Sequence, residues 1–67
     1  MKVEHAVTAK IDPNCEIRLG QSSWNPDEKS VKYTWFDMNG KAARGGEFPV
    51  EALPQMVEEA TKEGYLK

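Results

Sequence analysis

The 67-residue chain has one cysteine, Cys15, and one histidine, His5. A single cysteine excludes an internal disulfide, and with it the stapled frameworks of small secreted domains. One histidine among scattered acids excludes the clustered ligands of a zinc site. No apolar run approaches the roughly 18 residues of a membrane-crossing helix, and the opening residues lack a signal-peptide pattern. A reduced, cytoplasmic setting is expected, with no membrane, metal or cofactor. Cationic surplus is also missing. The net charge is −2 and the pI about 5.3, against the basic balance of a general nucleic-acid binder.

The charge is unevenly spread. Residues 1–46 hold seven Lys/Arg against six Asp/Glu, a net of +1. Residues 47–67 hold two Lys against five Glu, a net of −3. The acidity belongs to the C-terminal segment, so a local basic face on the rest is compatible with the total.

Sixty-seven residues make a single domain, 1–67. A chain of this size buries only about 60% of its unfolded surface. Every large apolar residue is therefore a core candidate. Without staples, a domain this small commonly gains stability by association, so a homodimer is expected from size alone.

Period-two alternation dominates the first three quarters of the chain. In 2–11, Val3, His5, Val7, Ala9 and Ile11 share one face. Cys15, Ile17 and Leu19 alternate with Glu16 and Arg18. With Asp12-Pro13-Asn14 as a three-residue loop, Ile11 faces Cys15 and Ala9 faces Ile17. The apolar residues then agree in face, and His5 falls opposite Gln21. Asn25-Pro26-Asp27-Glu28 is turn chemistry. "KSVKYTWFD", 29–37, reads as a third strand.

Asn39-Gly40 is the strongest two-residue hairpin signal in the chain. A tight turn there pairs Val31 with Phe48, Tyr33 with Gly46, Trp35 with Arg44 and Phe36 with Ala43. Trp35 and Arg44 then form a candidate cation–π pair. A simple second loop would set Leu19 and Val31 on opposite faces. A bulge near Gly20 would restore them.

Leu53, Met56, Val57 and Ala60 follow a helical stripe. Pro54 is tolerated only in a first turn, which starts the helix near Glu51. Gly64 is the expected left-handed stop, with Tyr65 and Leu66 folding back onto the core. The fold class is α+β: a four-stranded antiparallel meander, then one C-terminal helix packed on one sheet face.

Catalytic chemistry finds little support in this layout. His5 and Cys15 fall apart in the hairpin, so no nucleophile–base pair forms. "ARGGEF" lacks the Lys-Ser/Thr of a phosphate loop. Glu58, Glu59 and Glu63 read as a solvated helix face. An enzyme is not expected.

The covered face is expected to hold Val3, Val7, Ile17, Leu19, Val31, Tyr33, Trp35, Phe48 and Val50. Phe36 has the opposite parity, and Trp24 sits beside a turn. The candidate binding surface is therefore Trp24 and Phe36 among Lys10, Arg18, Lys32, Lys41 and Arg44. Aromatics interleaved with cations suit a protein interface, whether with a larger partner or a second copy. They also suit stacking on single-stranded nucleic acid.

Residues 28–60 resemble the PC4-type single-stranded-DNA-binding coactivator fold. The resemblance rests on "KSVKYTWFD", on "NGKAARGGEF" and on "PVEALPQMV" leading into the helix. Val50 takes the apolar position before that helix, Glu51 stands at the cap position and Met56 near the aromatic one. The resemblance implies four strands, one helix, a dimer and a sheet that grips single strands. Two functions follow as expectations. The first is a small non-enzymatic interaction domain. The alternative is a PC4-like single-stranded nucleic-acid binder.

Overall fold

The computed structural model describes residues 1–66. Four strands form one antiparallel sheet in the order β1-β2-β3-β4. They are β1 (Lys2–Thr8), β2 (Cys15–Gln21), β3 (Lys29–Phe36) and β4 (Ala42–Pro49). A 3₁₀ turn over Val50–Ala52 leads into helix α1 (Leu53–Lys62). This is the expected α+β order of four strands and a C-terminal helix.

The first hairpin slides by two residues from its expected register. Val7 pairs with Ile17, and His5 with Leu19 rather than Gln21. The loop is five residues, 10–14, closed by the Ala9 N–H donating to the Cys15 carbonyl at 2.9 Å. Asp12 organises it, its side chain accepting from the Asn14 N–H at 2.9 Å. Ile11 is thereby left in the loop, 88% exposed, instead of facing Cys15. A two-residue slide preserves parity, so the strand faces survive the error.

The second loop spans 22–28, and Leu19 lies directly opposite Val31 without a bulge in β2. The irregularity falls on β1 instead, between Val3 and His5. Gly20 makes it possible. A Cβ on Gly20 would lie 2.0 Å from the Lys2 carbonyl oxygen. The glycine thus accommodates its neighbour's bulge rather than bulging itself.

At the β3–β4 hairpin two departures cancel. Gly40 has φ of 78°, and no other residue of the turn has positive φ. A two-residue primed turn would need positive φ at Asn39 as well. The loop is therefore three residues, 38–40, closed by the Asp37 N–H donating to the Lys41 carbonyl at 2.8 Å. Phe36 then pairs with Ala42, not Ala43. A register shift between Trp35 and Phe36 takes up Ala43 and restores Trp35 opposite Arg44, and Tyr33 opposite Gly46.

The helix starts and stops as its sequence dictates. Pro54 occupies the first turn of α1. Gly64 takes φ of 77°, and the Tyr65 and Leu66 N–H groups return to the Ala60 carbonyl at 2.9 and 3.1 Å. Tyr65 does not fold back onto a core, being 88% exposed, while Leu66 is 45% exposed.

The helix covers less of the sheet than its stripe implies. Every residue of α1 keeps part of its surface open. On the sheet, Val7, Leu19 and Trp35 stay 44%, 38% and 42% exposed. The fully enclosed apolar residues are small or central: Ala9, Cys15 and Val31. The molecule measures 37 × 31 × 16 Å, a slab with one thin dimension.

Gly20 of the inner strand β2 and Gly46 of the edge strand β4 give opposite expectations. Gly20→Ala forces a Cβ into the Lys2 carbonyl and should lower stability by about 1–3 kcal/mol. Gly46→Ala meets nothing within 4 Å and should leave stability unchanged or raise it by about 0.5 kcal/mol. Urea midpoints of the two variants check this. Equal midpoints would remove the account of Gly20.

Candidate interaction surfaces

The pairing register sorts the sheet into two chemically distinct faces. Cross-strand partners share a face, and alternate residues along a strand share it too. One face carries Val7, Ile17, Leu19, Val31, Tyr33, Trp35 and Phe48. The other carries Glu16, Arg18, Lys32, Thr34, Phe36 and Glu47.

The aromatic face centres on Tyr33 and Trp35. Their rings meet edge to face, with centroids 4.6 Å apart and planes at 69°, an arrangement that aromatic quadrupoles favour. Tyr33 lies opposite Gly46, which leaves its ring unobstructed by a β4 side chain. The Cys15 side chain raises the Tyr33 phenol above its ordinary 10.0 by hydrogen bonding, followed by burial and by the Cys15 and Asp12 charges. At neutral pH this phenol is therefore protonated. Trp35 was expected in the core, and sits at its open margin. Arg44 is opposite Trp35, but the cation–π contact lies on the other face.

That contact joins Arg18 to Phe36, with the guanidinium carbon 5.4 Å from the ring centroid. Arg18 Nε also donates to Glu16 at 2.6 Å. Arg18 pairs with Lys32, two residues short of Thr34 and four short of Phe36. Its side chain must pass over Thr34 to reach the ring. This helps enclose Thr34, which with Ser30 is one of the buried residues of this face. Lys32 lies down as well: its Cε is 3.0 Å from where a Cβ on Gly45 would stand. Long cationic stems thus act as the apolar cover of this face.

Glu47 ends the same face in a polar clasp. Its Oε2 accepts from the Ser23 N–H at 3.0 Å and the Ser23 hydroxyl at 2.8 Å. Its Oε1 lies 3.4 Å from the Met1 amine. The clasp ties the β2–β3 loop to β4 across 24 positions of sequence. No local pattern marks such a contact, and the sequence reading missed it.

The seven residues expected to form one binding surface are therefore divided. Arg18, Lys32 and Phe36 come together. Lys10 lies in the first loop and Lys41 in the third. Arg44 points to the aromatic face by its pairing. Trp24 is half-exposed in the second loop, its indole N–H donating to Glu28. On the charged face Arg18 is paired with Glu16 and the Met1 amine with Glu47, so of the cations there Lys32 alone is left without a carboxylate among the described ion pairs. Among the described residues there is no pocket and no cluster of three metal-ligating side chains. No helix among them is long and apolar enough to cross a membrane.

The clasp predicts an acid-sensitive contribution. The Ser23 backbone N–H leads the causes that hold the Glu47 carboxyl below its ordinary 4.5, with the Ser23 hydroxyl and the amine adding to it. A depressed folded pKa contributes stability above the unfolded pKa and loses it as pH falls through the folded value. Glu47→Gln should lower the neutral-pH melting temperature. It should also shrink the further drop between about pH 4.3 and more acid conditions. An unchanged acid limb would show the clasp to be inert.

The chain matches no protein-family model, no curated protein and no solved structure.

Proposed function

We propose that this protein is a small non-enzymatic interaction domain that works through protein–protein contacts, the first of them with itself. One observation carries the reading. The chain exposes 5289 Å² of surface at a mass of 7.6 kDa. A compact monomer of that mass exposes roughly 4,300 Å². The surplus of about 1,000 Å² is of the size one partner buries in a standard interface, about 800 Å². It coincides with apolar groups left open on the aromatic face, Val7, Leu19 and Trp35, while Met56 and Val57 of the helix are open as well. The contact surface is thus the aromatic face, not the Phe36 and Trp24 side favoured by sequence parity.

Sedimentation across a concentration series tests this. The expected mass is twice that of the chain. Trp35→Ala should weaken the association roughly tenfold or more, as loss of a central aromatic anchor does, with its urea midpoint measured alongside. A monomer at every concentration would remove self-association.

The PC4-like reading retains one favouring observation, the Arg18 guanidinium stacked on Phe36. Against it, the Arg18 charge is already met by Glu16. Anisotropy of labelled oligo-dT at low and moderate salt separates the two. The protein-contact reading expects no binding at low salt. Binding that falls steeply with salt, and is lost in Phe36→Ala, would replace it.

A further inference from the structure

We propose that β4 is the edge along which a second copy of this chain pairs, antiparallel, about a two-fold axis at Gly46. The inference rests on the self-association reading above and gives it a geometry at the β4 end of the aromatic face; Val7 and Leu19, on β1 and β2, lie outside the paired edge.

The strand order leaves two edges, β1 and β4. β1 is guarded. It bulges between Val3 and His5, and Glu4 is held by Lys29 at 2.8 Å. Bulges and charges are the usual protection of an edge. The middle of β4 has neither. Gly45 and Gly46 carry no side chains, and space beside Gly46 is open to 4 Å. Its bulge lies at the far end, at Ala43.

The hydrogen-bond phase is suitable. Asp37 and Lys41 form a bonded pair. Bonded and unbonded pairs alternate from there. Carried through the bulge, the alternation makes Tyr33 and Gly46 a bonded pair and turns the backbone groups of Gly45 and Glu47 outward. Pro49, which has no N–H to offer, falls in the same outward phase, where an edge tolerates it.

Charge selects the register. A two-fold axis through Glu47 would set like charges opposite each other. An axis through Gly45 would set Arg44 opposite Gly46. An axis through Gly46 sets Arg44 opposite Phe48 of the second copy, twice, on the aromatic face. Each such pair gains a cation–π contact. This register also brings Pro49 opposite Ala43 of the second copy. The 3₁₀ turn and α1 follow Pro49 directly.

The test is a disulfide. In the proposed register the two Gly46 Cα atoms form an unbonded antiparallel pair about 4.5 Å apart, within the roughly 4.4–6.8 Å a disulfide spans. Gly46→Cys has room for its side chain, and Cys15 is buried and serves as an internal control. Under mild oxidation Gly46→Cys should convert to a covalent dimer on a non-reducing gel, while Ala6→Cys on β1 stays a monomer. As a second variant, Arg44→Ala should weaken the dimer about tenfold. A doubled mass without the Gly46→Cys cross-link, or with equal cross-linking of Ala6→Cys, overturns the β4 edge but not self-association. An unchanged dimer in Arg44→Ala overturns the register. A monomeric mass with no cross-link overturns both readings.

Discussion

A single sheet has two faces, and this chain has one ten-residue helix with which to cover them. The rest of the structure answers to that shortage. β3 is the strand that benefits most from what cover there is. It is paired on both sides, and it holds Ser30, Val31 and Thr34, three of the seven buried residues among those described. Its buried side chains are small, so the enclosed core is thin. The hydroxyls of Ser22, Ser30 and Thr34 find no hydrogen-bond partner among the described residues. An unmet buried hydroxyl costs about 1–3 kcal/mol, and a domain of this size has little stability to lose.

The two faces solve the shortage in different ways. The charged face uses its own long side chains. Arg18 reaches over Thr34 to Phe36, Lys32 lies along β4, and Glu47 gathers the second loop. Arg18 has its carboxylate in Glu16, while Glu47 is taken up by Ser23 and the Met1 amine. A face built in this way has few free cations for phosphate. The aromatic face has no such device. Its Tyr33–Trp35 pair fills the middle and leaves the margin open. Surface is left over there, and the proposed self-association is one physical remedy for it.

The strand edges express the same economy. β1 is bulged and charged, and so unavailable. Gly45 is needed in β4 because the Tyr33 backbone and the Lys32 stem occupy the space a side chain would fill: a Cβ there would lie 2.7 Å from the Tyr33 carbonyl oxygen. The bareness of Gly45 and Gly46 leaves the outer edge open to another strand. The internal packing requirement falls on Gly45 alone, and Gly46, which no neighbour crowds, lies at the centre of the proposed pairing edge.

Alternation determined the strands, their order and their faces, because a period of two survives any even slip. That is why a two-residue error in the first hairpin and a cancelling pair of errors at Asn39-Gly40 left the face assignments intact. Local chemistry likewise determined where the helix begins and ends, since Pro54 and Gly64 act through their own backbone. Tertiary structure decided what parity cannot reach. It placed the bulge on β1 rather than at Gly20, because a steric vacancy serves the neighbouring strand. It clasped Glu47 to Ser23, a contact with no local signature. It also separated Lys10, Lys41 and Arg44 from Arg18 and Lys32. Sharing a surface depends on loop length and register as well as residue type, and only the folded chain sets those together.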